Sequence, residues 1–135
     1  MIERRDFLKG TAVAVSALVL GVGSRATASQ NAEFNGIIYT KDNQGKWEGK
    51  AGSHSPEVTV DGARVTIKTN HPMSSVHYIV RHTLVLEDGT VVGGQTFTPT
   101  DVPESSYELP AGYKGKIFAT SFCNKHDFWL SEAMA

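Results

Sequence analysis

The chain has 135 residues, of which 40% are hydrophobic and 20% are charged. This composition is typical of one globular domain and excludes a disordered chain or a membrane bundle. The formal net charge is -1, so the chain lacks the basic excess on which phosphate-neutralising nucleic-acid binding depends, and we expect no nucleic-acid partner.

The first 28 residues have the features of an export signal. Arg4 and Arg5 are followed by an apolar pair and a lysine, then by an uncharged run over residues 10–23, and then by Ala26-Thr27-Ala28. The run is shorter than the roughly 18 residues that a membrane span requires. We therefore interpret it as the core of a cleaved signal, with an uncleaved anchor as the alternative. The paired arginines resemble signals of the twin-arginine pathway, which exports folded proteins.

This interpretation predicts a signal peptide at residues 1–28 and one mature domain at residues 29–135, located in the periplasm. The mature part has 9 basic and 12 acidic residues. It also contains the single cysteine of the chain, Cys123, which cannot close an internal disulfide. In an exported protein such a cysteine is an intermolecular bridge, a free thiol or a metal ligand.

The first predicted strands form a hairpin. From residue 29 to about 55 the sequence is polar and glycine-rich, which indicates loop apart from a short strand at 36–40. Valines then alternate with polar residues over 57–60, and the alternation resumes at Val65 and Ile67. Asp61-Gly62 between them is expected to supply the positive φ angles of a tight turn.

Residues 77–86 form the longest β-type run. Alternation of side chains along a strand places His82 on the face shared by Val80 and Leu84, and His77 on the opposite face with Ile79. The apolar neighbours of His82 favour a hydrogen-bonded core histidine rather than a metal ligand.

After residue 86, short predicted strands separated by turn residues continue as far as Phe122, directly before Cys123. Such spacing, without helical periodicity, predicts an antiparallel β-sandwich of about seven strands. The remaining predicted strands are Thr90–Val92, Gln95–Thr98, Ser106–Leu109 and Lys116–Phe122.

Cys123 and His126 form a Cys-x-x-His motif directly after the last predicted strand. A thiolate and an imidazole are ligands of first-row transition metals, and two intervening residues let both side chains converge from one loop. Backbone amides of such a loop are expected to donate to the sulfur and to tune a redox metal.

Three further histidines lie beside prolines or at the head of a strand. His71 precedes Pro72, which biases the histidine toward an extended backbone, and His77 begins the long strand. His54 lies two residues before Pro56 in a segment that we expect to be extended. Each is a candidate metal ligand.

Taken together, these motifs resemble the iron-binding domain of the superoxide reductase family, whose members are also called neelaredoxins and desulfoferrodoxins. The similarity spans about residues 50–132. The matching positions are His54, Pro56, His71, Pro72, His77, Tyr78, Ile79, Cys123, Asn124, His126 and Trp129.

The resemblance implies an immunoglobulin-like sandwich and a mononuclear iron, cycling between Fe²⁺ and Fe³⁺, with four imidazole ligands and one cysteinate. Carried over by motif, the ligands are His54, His71, His77, His126 and Cys123. The implied activity is one-electron reduction of superoxide to hydrogen peroxide. An external redox protein must then return the electron, since one cysteine cannot build a four-cysteine iron site. A homo-oligomer is compatible with the sequence.

One departure from the family concerns the Glu-Lys pair that usually precedes the first histidine. Gly52 and Ser53 occupy these places, while Lys50 and Glu48 lie slightly earlier. We assign to Lys50 the role of attracting the anionic substrate. Two alternatives remain, an iron-containing electron-transfer protein without superoxide reductase activity and a blue-copper carrier with Met134 as a weak axial ligand.

Overall fold

The hairpin predicted around Gly62 is present. In the computed structural model, which describes residues 34–135, β-strands Glu57–Asp61 and Arg64–Lys68 pair antiparallel. Gly62 has φ 60° and carries the turn alone. Asp61 was expected to share the positive φ, but it ends its strand opposite Arg64, because a two-residue loop leaves only Gly62 and Ala63 to reverse the chain.

The described residues form two sheets, and the predicted immunoglobulin-like β-sandwich is confirmed, with eight strands rather than seven. The five-stranded sheet has the order β1-β8-β7-β4-β5 and the three-stranded sheet the order β2-β3-β6. Every strand pair is antiparallel except β1 with β8. The strands are β1 (Ile38–Tyr39), β2 (Glu57–Asp61), β3 (Arg64–Lys68), β4 (Ile79–Leu86), β5 (Val91–Thr96), β6 (Glu104–Glu108), β7 (Lys116–Cys123) and β8 (Asp127–Met134).

Several predicted strand boundaries differ from the structure. β4 begins at Ile79 and not at His77, which instead pairs with Ser74 in an isolated bridge. β5 is one continuous strand where two short strands were expected, because Gly93 and Gly94 pair with β4 instead of interrupting the sheet. Position 93 favours glycine, because a Cβ atom there would lie only 2.9 Å from the Tyr107 ring.

β8 is the strand that the sequence did not predict. Its run of three large apolar residues, Phe128, Trp129 and Leu130, hides the alternation that marks a half-buried strand. It pairs with β7 along its whole length and with β1 on its other side, so it lies inside the sheet.

The segment before β2 also contains regular structure where a loop was expected. A 3-10 helix spans Gly45–Trp47, and a four-residue helix, α1, spans Ala51–His54. His54 is therefore the last residue of a helical turn and not part of an extended segment. None of the helices in residues 34–135 has the length and apolar character of a membrane span. The predicted signal at residues 1–28 lies outside the described residues.

The main core lies between the two sheets, where alternate side chains of β3, β4 and β7 meet. A β-bulge between Ile79 and Arg81 shifts the register of β4 against β7. Because an extra residue reverses the alternation, Ile79 and His82 are both fully buried. The expected placement of Ile79 and His82 on opposite faces is therefore wrong. Ile79 packs in a second cluster with Phe97 and Cys123.

Candidate metal centre

Four predicted ligand side chains meet at one end of the sandwich, and the fifth lies against them. One ligand atom each from His54, His77, Cys123 and His126 lies within 4.8 Å of the others. Nε2 of His71 lies 3.1 Å from Nε2 of His77 and 4.0 Å from the Cys123 sulfur. The structure thus brings together all five residues that the sequence proposed as ligands, while their role as ligands remains a proposal.

Helix α1 orients His54 through its own backbone. Nδ1 of His54 lies 3.1 Å from the Lys50 carbonyl oxygen and 2.8 Å from Ser53 Oγ, whose hydroxyl donates to the same carbonyl. These acceptors favour a proton on Nδ1 and leave the lone pair of Nε2 facing the centre. Hydrogen bonding of the outer nitrogen is how proteins fix the tautomer of a metal-binding histidine.

The loop that bears His71 and His77 closes on itself through Ser74. Ser74 and His77 exchange two backbone hydrogen bonds of 3.0 and 3.2 Å, and the Ser74 hydroxyl donates to the His77 carbonyl. The His71 amide donates to the Thr69 carbonyl at the end of β3. The two imidazoles therefore approach each other from the two ends of one short turn.

Asn124 fastens the Cys123–His126 loop to this turn. Its side chain accepts a hydrogen bond from the Tyr78 amide and donates one to the Val76 carbonyl, both 3.0 Å long. The sequence led us to expect that amides of this loop donate to the cysteine sulfur. The Asn124 amide instead donates to the Tyr78 carbonyl. The two halves of the centre are thus held together by hydrogen bonds between Asn124 and the backbone of the facing turn.

Nitrogen atoms of the four imidazoles lie close together in a row. Nδ1 of His126 lies 3.0 Å from Nε2 of His54 and 3.0 Å from Nε2 of His77, and Nε2 of His77 lies 3.1 Å from that of His71. Ligand nitrogens at right angles, each about 2.1 Å from a metal, are about 3.0 Å apart. These three distances therefore fit neighbouring ligands of one ion.

The thiol of Cys123 is the candidate fifth donor, on the buried side. This residue is fully buried at the end of β7, and its sulfur lies 3.6 Å from Nδ1 of His126. Nδ1 of His71, on the opposite side of the imidazole from Nε2, is buried without a regular hydrogen bond within residues 34–135. Burial lowers the pKa of His71, and the interaction with the Pro72 backbone offsets this effect only in part.

Burial keeps the imidazoles neutral. Desolvation, followed by the charge of His71, lowers the pKa of His54 to about 4. Desolvation is also the largest cause of the lowered pKa values of His71, His77 and His126. A metal binds only neutral imidazole, so at neutral pH the site requires little proton release from these rings.

The exposed side of the centre is formed by His77 and His126, whereas His54 and His71 are 3% and 7% exposed. The charges of Lys50 and Lys125 lower the pKa values of both His77 and His126, after the larger effect of desolvation. Both lysines therefore contribute positive potential to this side. Sequence reasoning proposed Lys50 and missed Lys125, although its place inside the Cys-x-x-His motif was a signal.

Both tryptophans contact the centre. Trp129 is fully buried, its ring lies 5.8 Å from that of His54, and its Nε1 donates to the His126 carbonyl. Trp47 packs edge-on against His126 at 4.6 Å between ring centroids. Trp129 is one of the positions that match the family motif. Trp47 lies 82 residues earlier, and no sequence pattern around it indicated a contact with the metal centre.

His82 does not join the site. It is fully buried and hydrogen-bonded on both nitrogens, to Thr69 Oγ1 at 2.8 Å and to Ser105 Oγ at 2.9 Å. The interpretation of this residue as a satisfied core histidine is confirmed.

Comparison with protein families gives one match, to the family described as Desulfoferrodoxin, over residues 45–132. This range contains all five of the proposed ligands. A search of curated protein sequences found no match.

Solved structures of similar proteins share the fold. A superoxide reductase (neelaredoxin) from Ignicoccus hospitalis is 26% identical with a TM-score of 0.63, over 75% of this chain and 95% of that one. The superoxide reductase from Treponema pallidum is 28% identical with a TM-score of 0.53, over 62% and 69%. A superoxide reductase (1Fe-SOR) from Giardia intestinalis is 24% identical with a TM-score of 0.56, over 62% and 98%, and supports the fold alone.

Proposed function

Since this chain belongs to the desulfoferrodoxin family, we propose that it is a superoxide reductase, which converts superoxide to hydrogen peroxide by transfer of one electron. The cofactor is a mononuclear iron. We assign its ligands as His54, His71, His77, His126 and Cys123.

The observation that carries this proposal is the convergence of four imidazoles on the buried thiol of Cys123. The distances of 3.0–3.1 Å between neighbouring nitrogens of His54, His126, His77 and His71 fit ligands of one ion. His77 and His126 leave the other side accessible to a small anion. When bound, iron supplies the one-electron chemistry and an electropositive position for the substrate.

The residues of the chain contribute three things. The neutral imidazoles hold the ion without a charge of their own, and the Cys123 thiolate offsets part of its positive charge. Lys50 and Lys125 raise the local concentration of the superoxide anion near the exposed side. Uptake of one electron and two protons then yields hydrogen peroxide, with the protons drawn from solvent at that exposed side.

The electron must come from a separate one-electron carrier protein. A rubredoxin-like site needs four cysteines, and the chain has one.

A second candidate function is electron transfer by the same iron without superoxide reductase activity. The observation in its favour is that Gly52 and Ser53 occupy the places of the family's Glu-Lys pair, and Ser53 is engaged with Lys50 and His54. A blue-copper site is not supported. Four imidazoles converge where copper uses two, and Met134 lies at the far end of β8 from Asp127.

We also propose that residues 1–28 export the folded protein through the twin-arginine pathway to the periplasm. The support is the sequence alone: the arginine pair, the short uncharged run and the small-x-small site. Export after folding suits a protein whose metal is inserted in the cytoplasm.

The decisive experiment begins with metal analysis and electron paramagnetic resonance on protein purified from the exported fraction. We expect one iron per chain, with a high-spin ferric signal after oxidation. Pulse radiolysis of the reduced protein then separates the two functions. Rapid oxidation of the iron by superoxide supports the reductase, whereas iron that does not react with superoxide would leave only electron transfer.

A further inference from the structure

Asp127, the residue directly after His126, closes the turn between β7 and β8, where it pairs with Cys123. Its φ is 66°, the one positive value at a non-glycine residue within 34–135. Aspartate and asparagine adopt this left-handed conformation at lower cost than other side chains, and a left-handed residue is common after a three-residue hairpin loop. The turn directs the Asp127 side chain toward the contacts described next.

The carboxylate of Asp127 anchors a segment that is distant in the sequence. Its Oδ2 accepts a hydrogen bond of 3.1 Å from Nε1 of Trp47 and lies 3.7 Å from Nζ of Lys46. The ion pair is solvent-exposed and contributes little to stability. The bond to Trp47 is the specific contact, because a charged acceptor strengthens it and it fixes the direction of a large ring.

The anchored ring is the one that touches His126. Trp47 meets the imidazole at an interplanar angle of 89°, and Nζ of Lys46 lies 4.9 Å from the tryptophan ring centroid on the outside. Asp127 thus acts on His126 in two ways. It holds the Trp47 side chain against the imidazole of His126, and it places a negative charge one residue away in the sequence.

We propose that Asp127 is a positioning residue of the metal centre: its carboxylate holds Trp47 against His126 and lowers the reduction potential of the bound metal. The effect on the potential rests on the proposed function, since it requires iron. A negative charge near an iron centre stabilises the ferric state relative to the ferrous state.

Three variants and a matched control separate these effects. Asp127→Asn retains an oxygen acceptor for Trp47 and tolerates the left-handed conformation, but removes the charge. Asp127→Ala removes both the acceptor and the charge. Asp127→Gly does the same and adopts a positive φ without the penalty that alanine has, so it serves if the alanine variant fails to fold. The control is Glu132→Gln on the same strand, where an exposed carboxylate pairs with Lys116 at 3.6 Å.

The first measurement uses metal-free protein and acrylamide quenching of tryptophan fluorescence, with Trp47→Phe to subtract the buried Trp129. In Asp127→Ala and Asp127→Gly we expect quenching of Trp47 to increase about twofold, because the ring loses its hydrogen-bonded anchor. Asp127→Asn and Glu132→Gln should match wild type. Unchanged quenching in the alanine and glycine variants would overturn the positioning role.

The second measurement is the midpoint potential of the iron-loaded proteins. Asp127→Asn should shift it upward although Trp47 stays in place, and Glu132→Gln should leave it unchanged. Equal shifts in these two variants, or none in Asp127→Asn, would overturn the electrostatic role. If wild-type protein takes up no iron, the proposed function fails, and the quenching measurement alone decides the contact between Asp127 and Trp47.

Discussion

The side-chain oxygen of Asn124 accepts a hydrogen bond from the backbone amide of Tyr78, at 3.0 Å. These residues belong to the two loops that provide the metal ligands, and they lie 46 positions apart in the sequence. The same side chain also donates to the Val76 carbonyl. Asn124 therefore sets the distance between the His71–His77 turn and the Cys123–His126 loop.

Replacement of Asn124 by alanine should loosen the centre. Loss of two hydrogen bonds to backbone groups is expected to lower the free energy of unfolding by about 1–3 kcal/mol. We also expect faster release of iron to a chelator, because the loops separate more readily. Asn124→Asp is the matched control, since it retains the acceptor for Tyr78 and should lose less. Identical iron-release rates in wild type and Asn124→Ala would contradict this role.

Replacement of Cys123 by serine should remove the sulfur donor at little steric cost. The sulfur-to-iron charge-transfer band in the visible spectrum and the reaction with superoxide are expected to disappear together, because both depend on the thiolate. The measurement is absorption spectroscopy of the oxidised protein with iron quantification on the same sample. Persistence of the band would exclude Cys123 as a ligand.

The lysines near the exposed side should control capture of the anion. Lys50→Ala and Lys125→Ala are each expected to slow the second-order reaction with superoxide, and the double variant by on the order of tenfold. The dependence of the rate on ionic strength should weaken in parallel. Lys116→Ala is the control, since Lys116 pairs with Glu132 at the other end of β7. Equal slowing of the reaction by Lys50→Ala, Lys125→Ala and Lys116→Ala would mean that the net charge of the protein, and not the position of each lysine, controls the rate.

The buried histidine outside the centre should make stability depend on pH. Desolvation lowers the pKa of His82 from 6.5 to about 4. Above pH 6.5 His82 is neutral in both the folded and unfolded chain, so it causes no penalty. Between pH 6.5 and 4 the unfolded chain binds a proton that the folded chain excludes, and the free energy of unfolding falls by up to about 3 kcal/mol.

His82→Gln tests this, because glutamine does not titrate and can bond to Thr69 and Ser105 in place of the imidazole. Urea unfolding of metal-free wild type and variant at pH 7 and pH 5 gives the comparison, with the other histidines common to both. Wild type should lose more stability than His82→Gln over this interval. Parallel losses would show that His82 does not exclude the proton.

Local chemistry explains what could be predicted from the sequence. The hairpin followed from the alternation of Val58, Val60, Val65 and Ile67 around a glycine, and this pattern is decided within a dozen residues. The candidate ligands followed from their combination: a lone cysteine three residues before a histidine, together with histidines near prolines, resembles the motif set of one family, although each motif alone is common.

The errors arose where a distant partner decided the local structure. β8 forms because β7 and β1 lie on either side of it, so its run of large apolar side chains is accommodated although it lacks alternation. The bulge between Ile79 and Arg81 exists in the pairing of β4 with β7 and is invisible in the sequence of β4 alone. His54 ends a helical turn that is closed partly by the Gln44 side chain, which accepts hydrogen bonds from Gly49 and Ala51.

The sequence by itself determined the β-rich fold class and led us to propose five donor side chains and an export signal, because each of these inferences depends on residue type and short-range spacing. Only the tertiary structure decided that neighbouring imidazole nitrogens lie 3.0–3.1 Å apart, that the charges of Lys50 and Lys125 both act on His77 and His126, and that Asp127 bonds to the Trp47 ring that packs against His126. These relationships join residues up to 80 positions apart. They are set by the closure of the sandwich, which no local pattern encodes.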